Sequence, residues 1–448
     1  MIWDRAARYP RQVARFVRRN SWVDLWLEQR GDLVLRSRAS GGEPEEHART
    51  SWDARRRYME LQKERLAAGW LRVQDPEREE NILEEPREPA LEAALRADPG
   101  DAATALVYGD WLEQRGHPRG ALAGLTGDAA ASHIEAHAET LLGTRLYVAA
   151  NEPVGERIEL RWEHGFLRWA RIDGFFERGD SEDLLFELLR HPSARLLREL
   201  EIGCHHAGDQ DNSLISAILV SAAEPPPLRR LVIGDFDNTR DDNIDISRAP
   251  LGDLSRLSEA YPDLEDIELK GTGDPLLGAI DLPRARRFAL RTSSLERTTA
   301  AAITAAPWPR LEELELWFGN TEYVIQPCGA REIAMVLAAK LPMLRVLRLM
   351  NTLLSDEACP LIAASPLAAR LEVIDFGLGT LSAKGARVLA QARAAFPPQC
   401  TIGIAECMLS AAAIAELRAA GFTLEHRSTV PIRDREAQKR TRFVSVSE

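Results

Sequence analysis

Through the second half of the chain, apolar residues recur in one frame, apolar-x-x-apolar-x-apolar. It appears as "LRELEI" from Leu197, "LRRLVI" from Leu228, "LEDIEL" from Leu264, "ARRFAL" from Ala285, "LEELEL" from Leu311, "LRVLRL" from Leu344 and "LEVIDF" from Leu371. The alternation that ends each frame predicts a short strand whose second and third apolar residues turn inward. Between frames lie segments such as "AREIAMVLAAK" and "SAKGARVLAQARAA", with apolar residues at helical spacing. Successive frames start 31, 36, 21, 26, 33 and 27 residues apart. This predicts strand–helix units that stack, because no single unit can bury its own apolar face. "RIELRWEHGFLRWARIDGF" upstream reads as a capping strand pair, and "CTIGIAECMLSAAAIAELRAAGF" downstream as a last, atypical unit.

The N-terminal pattern is different. Val23, Leu25 and Leu27 alternate with Trp22, Asp24, Trp26 and Glu28, which predicts a half-buried strand. Gln29-Arg30-Gly31-Asp32 interrupts it and Leu33-Val34-Leu35 resumes it, the signature of a hairpin. "SWDARRRYMELQKERLAAGWLRV" then predicts a helix capped by Ser51, with Tyr58, Leu61, Arg65 and Leu66 along its inner face. A further helix should follow Pro99-Gly100-Asp101, capped by Asp101 and closed by Gly116, with Ala103, Leu106, Val107 and Trp111 as its apolar stripe. The hexapeptide "WLEQRG" occurs in both regions, at 26–31 and 111–116. One copy ends a strand and the other ends a helix, and their flanks share nothing, so duplication is not the explanation.

Three stretches resemble known families. The order hairpin, polar loop, helix, and the ending "LQKERLAAGW", resemble a Trp-Gly-Arg (WGR) domain; of the naming tripeptide only Arg38 matches, in Arg36-Ser37-Arg38, with Gly41 or Gly42 following. In poly(ADP-ribose) polymerases such domains contact DNA ends, so the resemblance implies nucleic-acid contact, while the missing Trp and Gly argue against it. "LEAALRADPGDAATALVYGDWLEQRGHPRGALAGL" closely resembles the bacterial repeat-companion domain, departing at Gly109 and His117. That resemblance covers about 40 residues and implies leucine-rich repeats elsewhere in the chain. The frame spacing is itself near the ~20–29-residue leucine-rich period, with the longer intervals reading as loop insertions. The late frames look most like the ribonuclease-inhibitor subtype.

The expected fold is therefore α/β: a leucine-rich-repeat horseshoe with a parallel concave sheet at 151–426, capped at both ends. It is preceded by a small α+β WGR-like domain at 1–76, an acidic linker at 77–87 and a short helical module at 88–150, and followed by a basic tail at 427–448.

Composition changes this picture little. The 448 residues carry 69 acidic and 57 basic side chains, a net charge of -12 that argues against a surface built to coat nucleic acid. Nearly all basic residues are Arg. The five cysteines are scattered, with no CxxC pair, as expected of a reducing cytoplasm. No signal-peptide core or membrane-length apolar run is present, so no membrane partner is expected.

Candidate chemistry follows from the strand frame. The column just before the inward residues reads Glu199, Arg230, Asp266, Arg287, Glu313, Val346, Val373, whose alternating charges should neutralise one another across the sheet. The middle column, Glu201, Val232, Glu268, Ala289, Glu315, Arg348, Asp375, is mostly acidic and lacks that compensation. Beside it stand Arg291, Trp317 and Met350. Trp317 either projects as an aromatic anchor among Glu315, Arg348 and Asp375, or folds under the loop "GNTEYVIQPCG"; the sequence allows both. If it projects, Glu268, Arg291, Glu315, Trp317, Arg348, Met350 and Asp375 form the expected partner-binding set, suited to a basic or mixed-charge protein surface. Arg55, Arg56 and Arg57, with Arg38, are the candidate phosphate contacts, although the acidic neighbours Glu43, Glu45, Glu46 and Glu60 favour a solvated helix face. Asp110, Glu113 and His117 read as a solvated helix end with Arg115 and Arg119 as counter-charges. Cys204-His205-His206 lacks the second ligand pair of a zinc site. With no phosphate loop, GxGxxG, GxSxG or HExxH, the expectation is a non-catalytic protein-binding adaptor or sensor with no cofactor. The alternatives are a nucleic-acid-associated regulator, or a regulatory subunit of an enzyme encoded nearby.

Overall fold

The computed structural model describes residues 11–426 apart from 19–20, 31, 41, 49–50, 69, 74–84, 152–155, 175–180, 204–211, 236–245, 273 and 321–325. It is a mixed α/β chain. Strands β1 (Arg11–Arg18), β2 (Ser21–Arg30), β3 (Asp32–Ala39) and β4 (Glu45–Ala48) are followed by helix α1 (Ser51–Ala67) and β5 (Leu71–Val73). The five strands form an antiparallel sheet in the order β4-β3-β2-β1-β5. The register Leu27↔Leu35 and Arg30↔Asp32 makes β2 and β3 the predicted hairpin, with its turn at position 31 outside the described residues. Val23, Leu25 and Leu27 are buried as their alternation requires, and pack with Tyr58, Leu61 and Leu66 of α1. Trp26, on the opposite side of the strand, is buried as well.

The helical module comprises α2 (Pro89–Ala97), α3 (Ala102–Glu113), α4 (Arg119–Leu122), α5 (Gly127–Ala136) and α6 (Ala138–Asn151), the last interrupted at Gly143. Asp101 caps α3 as expected, its carboxylate accepting from the N–H groups of Ala103 and Thr104 at 3.0 and 3.2 Å. Gly116 has φ +71° at the other end, the left-handed conformation of a C-terminal glycine. The expected apolar stripe is wrong. Leu106 and Val107 are 48% and 55% exposed, and the buried side is Ala105, Tyr108 and Leu112. Two contacts rotate the helix. The Tyr108 hydroxyl donates to Glu92 at 2.9 Å while its ring lies 5.6 Å from that of Phe166. Gly109 lies so close to α4 that a Cβ there would come within 2.9 Å of the Gly120 carbonyl oxygen. A buried hydroxyl and a glycine–glycine contact thus outweigh two aliphatic side chains.

The second sheet has eleven strands in unbroken sequence order. It opens with the antiparallel pair β6 (Glu156–Glu163) and β7 (Phe166–Gly174). After α7 (Ser181–Arg190), the chain alternates β8 (Glu199–Gly203), α8 (Ser213–Val220), β9 (Arg230–Asp235), α9 (Leu257–Ala260), β10 (Asp266–Gly271), β11 (Arg287–Thr292) and α10 (Arg297–Ala305). It continues through β12 (Glu313–Gly319), α11 (Ala330–Ala338), β13 (Val346–Thr352), α12 (Ser355–Ala364), β14 (Val373–Asp375), α13 (Ala383–Gln391), β15 (Thr401–Gly403), α14 (Ala411–Ala419) and β16 (Thr423–Glu425). Every strand from β7 onward pairs in parallel with the next.

Each apolar frame lands on one of these strands, with equivalent positions in register from Glu199↔Arg230 through Val346↔Val373. The inward residues, such as Leu200 and Ile202 or Leu314 and Leu316, are buried against successive helices, which pack one on the next. α1 packs against α8, so the N-terminal unit joins the helix layer. Among the described residues, no helix is long and apolar enough to cross a membrane.

Candidate functional site

The outward positions of β8–β14 bring together the side chains singled out from the sequence. Arg291, Trp317 and Met350 stand in one register row, beside the row of Glu268, Glu315, Arg348 and Asp375. Their surroundings differ from expectation in two ways.

First, the middle acids are not uncompensated. Arg287 lies 3.0 Å from Asp266, 3.1 Å from Glu268, 3.5 Å from Glu313 and 3.6 Å from Glu315, so one guanidinium serves two columns. Arg291 reaches Glu315 at 2.6 Å and also binds Glu268. Arg348 joins Glu313 at 3.0 Å to Asp375 at 2.7 Å. At the other end, Glu201 takes hydrogen bonds from the Trp169 indole at 3.1 Å, from Arg171 at 3.4 Å and from Arg230, which also reaches Asp266 at 3.2 Å. The result is a continuous lattice from Arg171 to Asp375. Burial pushes Glu201 and Glu315 up, but the Trp169 indole and Arg230 on Glu201, and Arg291 on Glu315, bring both below the usual carboxylate range.

Second, Trp317 does not project. It is 1% exposed, its indole N–H donates to Glu315 at 2.8 Å, and the Arg291 guanidinium lies 5.7 Å from its ring centre. The projecting arrangement does not hold, because the ring satisfies its donor and its cation contact inside the lattice; residues 321–325 of the loop in the other arrangement lie outside those described. The partly exposed apolar side chains at this end of the face are Val346, Met350 and Val373, interspersed with the partly exposed Arg348, which pairs with Asp375.

The helical module meets the sheet through a second charged cluster. Arg119, expected as a solvated counter-charge, is 1% exposed. It binds Glu85, donates to the Pro192 carbonyl at 3.3 Å and lies over the Phe166 ring. Arg195 reaches Glu92 at 3.3 Å, and Arg87 binds the same carboxylate at 2.7 Å. Glu85 and Arg87, assigned from the sequence to the linker, are therefore part of the packed structure. Burial raises the Glu85 carboxyl, although Arg119 and Arg195 pull it down. Beside this cluster, burial and then the charges of Arg119 and Arg195 push His117 down to about 4 and His191 down to about 3. Both rings accept a backbone N–H at Nδ1, from Arg119 and Ser193 respectively.

Between this module and the start of the sheet lies an open cleft of about 690 Å³, walled by Pro99, Trp162, Trp169 and the arginines 161, 168, 198, 229 and 230, with Glu163, Glu199, Glu265 and Asp266. None of the cleft arginines outside the ladder was singled out from the sequence. The signal was present: the position one residue before the ladder reads Arg198, Arg229, Glu265, Arg286, Glu312, Arg345, Glu372, a further charged column.

Of the candidate phosphate contacts, Arg57 is held by Glu60 at 3.1 Å and Glu64 at 2.8 Å, and Arg56 lies 3.7 Å from Glu60. Arg38 is exposed on β3, and the side chain of Arg55 lies outside those described, as does Cys204-His205-His206. Cys328, Cys359, Cys400 and Cys407 are thiols raised by burial. Among the described residues, no three His, Cys, Asp or Glu side chains gather closely enough to hold a metal ion.

No protein-family model matches the chain, and no curated protein matches it. Among solved structures, it is similar to a Bacteroides fragilis protein determined by the Northeast Structural Genomics Consortium, with a TM-score of 0.52 and 16% identity over 97% of this chain and 99% of that one. The likeness is one of fold.

Proposed function

We propose that this chain is a non-catalytic adaptor of the leucine-rich-repeat kind that binds a partner protein on the strand face bearing the charge lattice. One observation carries the reading. The helices that follow the strands, and α1 of the N-terminal unit, form a layer against the inward residues, while the lattice face keeps partly exposed side chains along seven adjoining strands. Solenoids use such a face for recognition. The anchor is not Trp317 but the apolar group Val346, Met350 and Val373, flanked by Arg348 and Asp375. A self-neutralised lattice beside it contributes orientation and the rejection of mismatched charge rather than raw affinity. The repeat-companion resemblance of the helical module agrees with this reading, with Arg119 and Glu85 seating that module on the first strands. The WGR-like reading of the N-terminal unit as a nucleic-acid contact draws less support, since Arg57 and Arg56 are engaged by Glu60 and Glu64.

The test is affinity capture from the native host followed by binding of the purified partner to Val346→Asp and Met350→Asp. Loss of at least about tenfold in affinity, as expected for a hot spot, supports the reading. A partner that binds both variants as it binds the wild type, and is lost when residues 1–76 are removed, overturns it.

A further inference from the structure

The edge column ahead of the ladder pairs off along the sheet. Arg229 binds Glu265 at 2.9 Å, Arg286 binds Glu312 at 2.8 Å and Arg345 binds Glu372 at 2.5 Å. Arg198 is left over. Its neighbour on one side is Arg229, already committed, and on the other side is Arg168 of β7, whose carbonyl accepts the Arg198 N–H at 2.9 Å. Three arginines thus stand consecutively along one sheet edge. Arg168 is 7% exposed and, among the described residues, has one carboxylate within ion-pair distance, Glu163 at 3.9 Å; its Nε lacks a hydrogen-bond partner. Arg198 has no carboxylate within ion-pair distance among the described residues, and its Nε too is buried without a partner. A fourth, Arg161, is exposed and rests on the Trp169 ring at 4.1 Å.

All of these line the cleft between the helical module and the sheet. Backbone carbonyls account for part of their geometry: Arg168 donates to Leu196 and Pro99 at 3.2 and 3.3 Å, and Arg198 donates to Arg96 at 3.3 Å. Those neutral acceptors fix the guanidiniums in place but do not cancel their charge. Of the cleft's carboxylates, Glu265 and Asp266 are engaged by Arg229, Arg230 and Arg287. Glu163 is shared loosely with His164 at 3.7 Å. Glu199 is the cleft carboxylate without an ion pair among the described residues, while Glu265 and Asp263, paired with Arg229 and Arg284, act on Arg198 from beyond ion-pair distance. Like charges packed side by side at a half-buried edge repel one another unless an anion joins them. Burial first, and then the charges of Arg229 and Arg168, lower the Arg198 guanidinium to about 10, against an opposing pull from Glu265 and Asp263.

We propose that this cleft binds a small oxyanion-bearing ligand, a carboxylate or a phosphate, gripped by Arg198 and Arg161 with Arg168 behind them. A guanidinium's paired N–H groups match either oxyanion, and the volume suits a small molecule rather than a bare ion. The assignment stands apart from the partner-binding reading, because the anchor residues of that reading lie on β13 and β14.

Isothermal titration of the full chain at low salt tests it, with inorganic pyrophosphate in one arm and citrate in the other. Binding of either probe at one per chain with a Kd below about 1 mM, weakened by added salt, is expected, and the tighter probe identifies the headgroup. Arg198→Gln should weaken that probe about tenfold or more. Arg161→Gln, which removes a contact with the Trp169 ring but no side-chain hydrogen bond among the described residues, should weaken it as well, while Arg345→Gln on the far edge should not. The proposal falls if neither probe binds below about 10 mM, or if the Arg198 and Arg161 variants bind as the wild type does.

Discussion

Replacing His191 by Asn would remove one buried imidazole from the junction between the helical module and the sheet while keeping an acceptor for the Ser193 N–H, now held at 3.1 Å by Nδ1. In the folded chain this ring is pushed down to about 3 by burial and then by Arg119 and Arg195; in the unfolded chain it returns to about 6.5. The folded state therefore refuses a proton that the unfolded state accepts. The stability tied to this difference is fully present above about pH 6.5 and is lost as the pH falls toward 3. Lowering the pH from about 7 to about 5 takes the unfolded imidazole from mostly neutral to almost wholly charged, which costs the fold about 2 kcal/mol by linkage. His117, pushed down to about 4, adds a loss of similar size. The assay is urea denaturation followed by far-UV circular dichroism at several pH values between about 5 and 7. The wild type should lose more stability across that window than His191→Asn does, by about 2 kcal/mol. Parallel pH profiles for the two proteins would show that the imidazole is not held neutral and would refute the argument.

Three further outcomes follow from the packing. Trp317→Ala should lower the urea midpoint by an amount equivalent to about 3–5 kcal/mol, the usual cost of deleting a buried large aromatic; an unchanged midpoint would return Trp317 to the surface. Gly120→Ala places a Cβ 2.6 Å from both the Glu113 nitrogen and the Gly109 oxygen, backbone atoms that cannot step aside. A loss of about 1–3 kcal/mol or more is expected in the same assay, and a neutral effect would mean that α3 and α4 are further apart. Arg119→Met and Glu85→Leu should each cost about 3–5 kcal/mol by stranding a buried charge, whereas the double variant should cost much less than their sum. Additive losses in that double-mutant cycle would deny the pair.

The strand positions were legible because period-two alternation inside a fixed frame depends only on local geometry, and each frame falls on one strand of the large sheet. The caps at Asp101 and Gly116 were legible for the same reason. The inner face of α3 was not. Leu106 and Val107 are the more apolar choice, but Tyr108 can reach Glu92 and Gly109 can admit α4, and neither contact is visible in the periodicity of a single helix. The seat of Arg119 was hidden in the same way, since its partner Glu85 lies in what composition marks as a linker, and the ring beneath it, Phe166, comes from a strand beyond two further helices.

The charge lattice shows what a one-dimensional reading of columns leaves out. Neighbouring strands stand ~4.8 Å apart and alternate residues along a strand ~6.6 Å apart, so a guanidinium on a three-carbon stem reaches both its in-register neighbour and the diagonal position. Arg287 does so, meeting Asp266 along the row and Glu268 and Glu315 across it. A column that looks acidic in isolation is thereby neutralised from the column beside it, and an aromatic placed among these charges is drawn under them, as Trp317 is. Over the whole face, the surplus of positive charge is therefore not in the middle of the sheet. It sits at the beginning, where Arg168 and Arg198 precede the first pair of the edge column and the carboxylate that β6 supplies, Glu163, stands 3.9 Å from Arg168.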